Sequence, residues 1–205
     1  MESVLIRKSA IAERKSVITK SQGRLDSKCK KDAKQQAKTL SKEGWKSAIG
    51  TNPIEEQLYD LLLKQYEQKG NYPMYIIGRS QAVSDDYNKA YKIAESRVYA
   101  DIASNISAEI ISLAEDALVN KQLTATDVET VSKYMSTTQQ SVRQNMGKID
   151  IVFEIYREAN GKTEFQIGAS YDVERLQKTI RKALENETTK QKEIIEKLLN
   201  KKELQ

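Results

Sequence analysis

Four carboxylates and one row of lysines are the residues here whose type and spacing could do chemistry. Asp85 and Asp86 are adjacent, and Glu154 and Glu164 stand on two segments with strand-like alternation. Paired carboxylates can divide general acid and general base roles, provided a positioned partner shifts one pKa. No such partner is legible beside either pair. Asp85 and Asp86 directly precede a helical pattern, where negative charge is favourable. Glu154 and Glu164 fall at the polar positions of their segments, so caps and solvated strand faces are expected instead of a catalytic pair. Lys30, Lys31, Lys34, Lys38, Lys42 and Lys46 could present a basic face over several helical turns. Such a face attracts phosphates or an anionic membrane surface. A lysine-rich solvated helix accounts for the same residues. No aromatic is interleaved among them until Trp45, so a base-stacking platform is not indicated.

Composition narrows the classes further. The chain has 205 residues, no His and one Cys. Without His there is no Ser-His-Asp or Cys-His relay and no imidazole ligand. One Cys allows neither an intrachain disulfide nor a Cys-clustered metal site. GxGxxG, GxxxxGK[ST] and HExxH are absent. No enzyme, cofactor or metal is expected. The formal charge is +5, but residues 1–50 hold 13 Lys/Arg and 5 Asp/Glu, whereas residues 51–205 hold 21 and 24. The basic character belongs to the N-terminal quarter.

No run approaches the ~18 apolar residues of a membrane span, and the first thirty residues lack an apolar signal-peptide core. Asp26 and Lys28 argue against lipid attachment at Cys29.

The elements that must position these groups are legible from periodicity. Residues 1–28 read as a flexible basic arm. A helical lead over 29–72 follows, with Ala33, Ala37 and Leu40 at helical spacing and Gly44 as its stop. Trp45 is expected to pack that helix onto the body. Asn52 is expected to cap a second helix with Pro53 in its first turn, and Leu58, Leu61, Leu62 and Tyr66 form its stripe.

An α+β domain is expected over 73–184. It opens with a strand at 74–83, where Gly78 marks a bulge or a close helix contact. A helix over about 85–119 follows, with the stripe Ala90, Ala94, Val98, Ile102, Ile106, Ile110, Leu113, Ala117. Thr126–Glu129 reads as a capping box for a helix to about Asn145. Strands at 149–157 and 163–171 form a hairpin. Placing Ile149, Ile151, Phe153 and Ile155 on one face with Phe165, Ile167, Ala169 and Tyr171 requires a three-residue loop, 159–161, with Gly161 left-handed. Asp172 should cap a last helix, whose extension over 185–205 carries Ile194, Ile195, Leu198 and Leu199. The expected fold is a three-stranded, mainly antiparallel sheet with long helices on one face and the other face wet.

The order of these pieces from Ile76 to about Leu184 resembles the LPP-twenty lipoprotein family of bacterial envelopes. The likeness rests on Ile77-Gly78-Arg79-Ser80, on Asp86-Tyr87-Asn88-Lys89-Ala90, on Ala94-Glu95-Ser96-Arg97 and on Asp101-Ile102-Ala103-Ser104-Asn105. The helix, hairpin and closing helix then follow in order. The stretch from Lys34 through Gly44-Trp45 to Pro53-Ile54-Glu55-Glu56-Gln57-Leu58 looks like the lead of Bacteroidetes envelope proteins.

The resemblance implies a secreted or outer-membrane-associated protein with no known enzymatic activity, at the periplasm or outer-membrane periphery. A well-formed amphipathic body without a reactive constellation adds the expectation of a non-enzymatic, envelope-associated scaffold or adaptor acting through protein–protein contacts. The chain's lack of a visible leader points the other way. It keeps open a nucleic-acid-binding or virion accessory protein using the basic arm. The candidate interaction residues are Lys30, Lys31, Lys34, Lys38 and Trp45 in the lead and Ile195, Leu198 and Leu199 in the extension. A protein partner or self-association is expected, without a transmembrane segment.

Overall fold

The computed structural model describes residues 22–69, 72–120, 122–183, 193–196 and 198. Helix α1 (Gln22–Lys42) and the short strand β1 (Lys46–Ser47) lead into helix α2 (Ile54–Tyr66). A small ribbon follows, β2 (Gln68–Lys69) with β3 (Tyr72–Pro73). Strand β4 (Tyr75–Ser84), helix α3 (Tyr87–Val119) and helix α4 (Ala125–Asn145) come next. The hairpin β5 (Asp150–Ala159) and β6 (Lys162–Asp172) then runs into helix α5 (Val173–Ala183).

The fold is α+β, with an antiparallel sheet of four strands in the order β1-β5-β6-β4. The expected count of three is corrected by β1. Its two residues pair with Tyr156 and Ile155 of β5, too short a stretch to show any alternation.

The hairpin loop is the second correction. Ala159 pairs with Lys162, leaving the two-residue turn Asn160-Gly161, with φ of 54° and 71°. Positive φ at both central residues matches the twist of the flanking strands. Tyr156 therefore faces Phe165, and Glu154 faces Ile167. The register then shifts between Ile151 and Phe153, so Val152 is an extra residue in β5. Beyond this bulge Ile151 pairs with Ala169. Ile149, just before β5, and Ile151, Phe153 and Ile155 within it thus do not share a face, contrary to what the longer loop assumed. A bulge switches the side on which alternate side chains emerge.

Each face of the sheet accordingly meets its own helices. On one side Phe165, Ile167, Ala169 and Tyr171 join Ile149 and the α3 stripe in the larger core. On the other, Phe153 and Ile155 pack with Cys29, Ala33 and Ala37 of α1, Leu58 and Leu61 of α2, and Trp45. The expected wet face is covered by the helical lead. Burying side chains such as Ile155, Phe165 and Ile167 contributes about 1.5–3 kcal/mol each.

Gly78 marks a close helix approach. A Cβ there would sit 2.4 Å from Cγ1 of Ile102 on α3. Small residues elsewhere in the α3 stripe, Ala90 and Ala94, are fully buried for the same reason. Ala114 takes the buried place expected for Leu113.

Caps differ in detail. Asp86 caps α3, accepting from the Lys89 amide. The capping box of α4 joins Thr124 and Asp127, two residues before the expected one. Pro53 is the N-cap of α2 without a side-chain bond, so Asn52 does not cap it.

Gly78→Ala should destabilise the chain by about 1–3 kcal/mol. In urea unfolding, combining it with Ile102→Ala should cost less than the sum of the two single changes. Strict additivity would show that the contact with Ile102 is not what Gly78 permits.

Candidate interaction surfaces

Sheet edges come first, because an open edge is a ready site for strand addition. Residues Ile77, Arg79 and Gln81 direct their backbone groups away from β6, since both groups of a residue in an antiparallel strand point the same way. Three side chains one turn apart on α3 reach them. Asn105 Nδ2 donates to Ile77 O at 3.0 Å, the Arg79 amide donates to Asp101 Oδ2 at 2.9 Å, and Arg97 Nη1 donates to Gln81 O at 2.6 Å. On the opposite edge the Ala48 amide donates to Glu154 O at 3.0 Å. Gln57, buried on α2, completes this edge: its Oε1 accepts from the Glu154 amide at 2.6 Å. Its Nε2 donates to Thr51 Oγ1 at 2.9 Å and to Asn52 O. Both edges are therefore largely closed by side chains.

The carboxylates have structural partners. Asp86 is a cap, and Asp85 accepts from Ser84 Oγ and Lys89 Nζ, bonds that hold its carboxyl below the ordinary value. Glu164 takes Arg157 at 2.7 Å, with both side chains mostly covered. Arg157 also lies 4.7 Å from the Trp45 ring and donates to Glu43 O at 3.2 Å, tying the end of α1 to the hairpin. Glu154 departs from expectation. It is half-buried on the α3 side of the sheet, not on a solvated face. Burial pushes its carboxyl up, Tyr91 counteracts by hydrogen bonding and Glu95 adds repulsion. Burial and the acidic neighbours Glu154 and Glu95 raise the Tyr91 hydroxyl to about 12. Alternation had suggested a polar exterior here because it cannot show that α3 lies above.

The predicted interaction residues fall into three environments. Lys30 pairs with Asp26 at 3.0 Å and lies over the Tyr59 ring at 5.7 Å. Tyr59 hydrogen-bonds Asp26, so this cluster fastens α1 to α2. Lys31, Lys34 and Lys38 are exposed on α1, opposite its buried Cys29, Ala33 and Ala37. Trp45 is 4% exposed and belongs to the second core, so no ring face is free for stacking.

Ile195 and Leu198 are buried in the larger core, which removes them from any exposed surface; Leu199 lies outside the described residues. Periodicity correctly made them apolar but could not say that this chain covers them.

Structure brings part of the predicted set together. Lys34, Lys38 and Lys46 flank a shallow groove of about 570 Å³ with Ser41 and Ser47 on its walls and Trp45 beneath. Lys46 belongs to the predicted basic row, but it stands on β1 and not on the helix, and the two serines were not singled out because β1 was invisible in the sequence. No group of three or more metal-ligating side chains occurs among the described residues, and no helix there is long and apolar enough to cross a membrane. Comparison of the chain with protein families and with curated proteins finds no match.

Gln57→Leu should cost about 1–3 kcal/mol by leaving the Glu154 amide without its acceptor. Gln57→Glu, which keeps an acceptor, should recover part of that loss in chemical unfolding; equal losses would dissociate the effect from this bond. The raised carboxyl of Glu154 has a second consequence. Its contribution favours folding below the ordinary value of 4.5 and is lost as pH rises through the raised one. Glu154→Gln should therefore gain stability relative to the parent chain between acidic and neutral pH, and a pH-independent difference in urea midpoints would contradict this.

Proposed function

We propose that the protein is a non-enzymatic, envelope-associated scaffold or adaptor that works by protein–protein contact, with the lysine-lined groove receiving an acidic segment of its partner. The observation that carries this reading is the division of α1 into two faces. Cys29, Ala33 and Ala37 anchor it, while Lys31, Lys34, Lys38 and Lys42 stand exposed on the other side. Lys46 continues the row into β1. A rigid helix presents these charges at a set spacing, which favours steering and register with an acidic surface.

The envelope part of the proposal rests on the resemblance of residues 76–184 to the LPP-twenty family. Trp45 supports a protein partner over a nucleic acid, because its ring packs against Arg157 instead of offering a stacking platform.

Fluorescence anisotropy with a short polyglutamate peptide and with duplex DNA tests the reading. The peptide should bind and weaken with salt, and Lys34→Glu/Lys38→Glu/Lys46→Glu should reduce its affinity by roughly tenfold or more. DNA binding stronger than peptide binding, lost in the same variant and steep between about 50 and 200 mM salt, would transfer the groove to nucleic acid. Recovery of the native protein wholly in the cytosolic fraction would overturn the envelope assignment.

A further inference from the structure

A second cleft, of about 540 Å³, lies between α1 and the sheet face that α2 only partly covers. Its polar lining includes Asp32, Gln35 and Gln36 of α1, Arg79 of β4 and Gln166 of β6. Leu58 and Phe153 supply an apolar part. Arg79 stands opposite Gly168 in the sheet register, and its amide is held by Asp101. Its guanidinium donates to the neutral Gln65 Oε1 at 3.1 Å. It forms no ion pair among the described residues, unlike Arg157, whose carboxylate partner is at 2.7 Å.

The Arg79 side chain is open to water and its hydrogen-bond partner is neutral, while partial burial lowers its pKa below the ordinary arginine value. A guanidinium at a cleft without a carboxylate partner is available to an incoming anion. A planar guanidinium fork matches a carboxylate or a phosphate in two parallel hydrogen bonds. The rest of the lining decides between them. Asp32 opposes a dianion but accepts well from N–H groups. Gln35, Gln36 and Gln166 each offer a donor and an acceptor, the pair a peptide group requires. The apolar wall suits side chains next to the anionic end.

We propose that this cleft binds the free C-terminal carboxylate of an extended polypeptide, with Arg79 holding the carboxylate and the glutamines and Asp32 engaging the preceding peptide groups. The site is separate from the lysine groove and does not depend on that groove's assignment.

Calorimetric titration of the full chain with N-acetyl-tetraalanine, with its C-terminal amide and with acetate tests the proposal. The free acid should bind at least about tenfold more tightly than the amide, as expected for a charge-assisted fork. Arg79→Gln should bring the two level. Arg79→Lys should leave a reduced preference, because an ammonium keeps the charge without the fork. Gln36→Ala, at an exposed helical position, should weaken both peptides and keep the preference for the acid. Lys34→Glu/Lys38→Glu should leave the preference for the acid intact, which separates this site from the groove. Equal binding of acid and amide by the parent chain would overturn the proposal, as would no binding of either. Acetate binding as tightly as the tetrapeptide would overturn the peptide end as the occupant.

Discussion

One extra residue in β5 governs how the two halves of this protein meet. Without the bulge at Val152, a strand of period two would send Ile149, Ile151, Phe153 and Ile155 to a single side. With it, Ile149 and Ile151 close the core under α3, while Phe153 and Ile155 turn to the helical lead. The sheet thus becomes the middle layer of three. Helix α1 with its row of lysines acquires a fixed seat on the domain, and both the lysine groove and the Arg79 cleft exist because α1 is held there.

Closing the edges is the second requirement of such a sheet. The two edges use different devices for the same purpose. Along β4, Arg97, Asp101 and Asn105 repeat every fourth residue, matching one turn of α3 to every second residue of the strand. Along β5, a two-residue strand and one buried glutamine do the work. Strand addition at these edges would compete with bonds already made, whereas the helix surfaces and the clefts stay open.

Charge follows the same logic of place. Arg157, Asp26 and Lys30 are used to fasten the lead, through Trp45, Glu164 and Tyr59. Lys34, Lys38 and Lys46 line an open groove without an ion pair among the described residues, and Arg79 has only a neutral partner. Two clefts carrying cations without a carboxylate partner among the described residues therefore lie on opposite flanks of one helix.

Helix and strand periods are local properties, so the sequence by itself determined the number and order of the main helices, the three long strands and the stop at Gly44. It also placed Asp86 at the start of α3, and it offered Trp45 both as a packing residue and as an interaction candidate, of which burial in the second core keeps the first. What escaped it was set by neighbours far along the chain. Glu154 looked solvated because alternation reports only the two sides of a strand, and the helix that covers one side lies some sixty residues earlier. Strand β1 is too short for any period. The turn length depended on a bulge eight residues before it, which leaves the local pattern of Asn160-Gly161 unchanged. Tertiary structure decided these points, and with them the placement of every candidate surface. Burial, edge pairing and the seating of one layer on another are contacts between segments that sequence spacing does not relate.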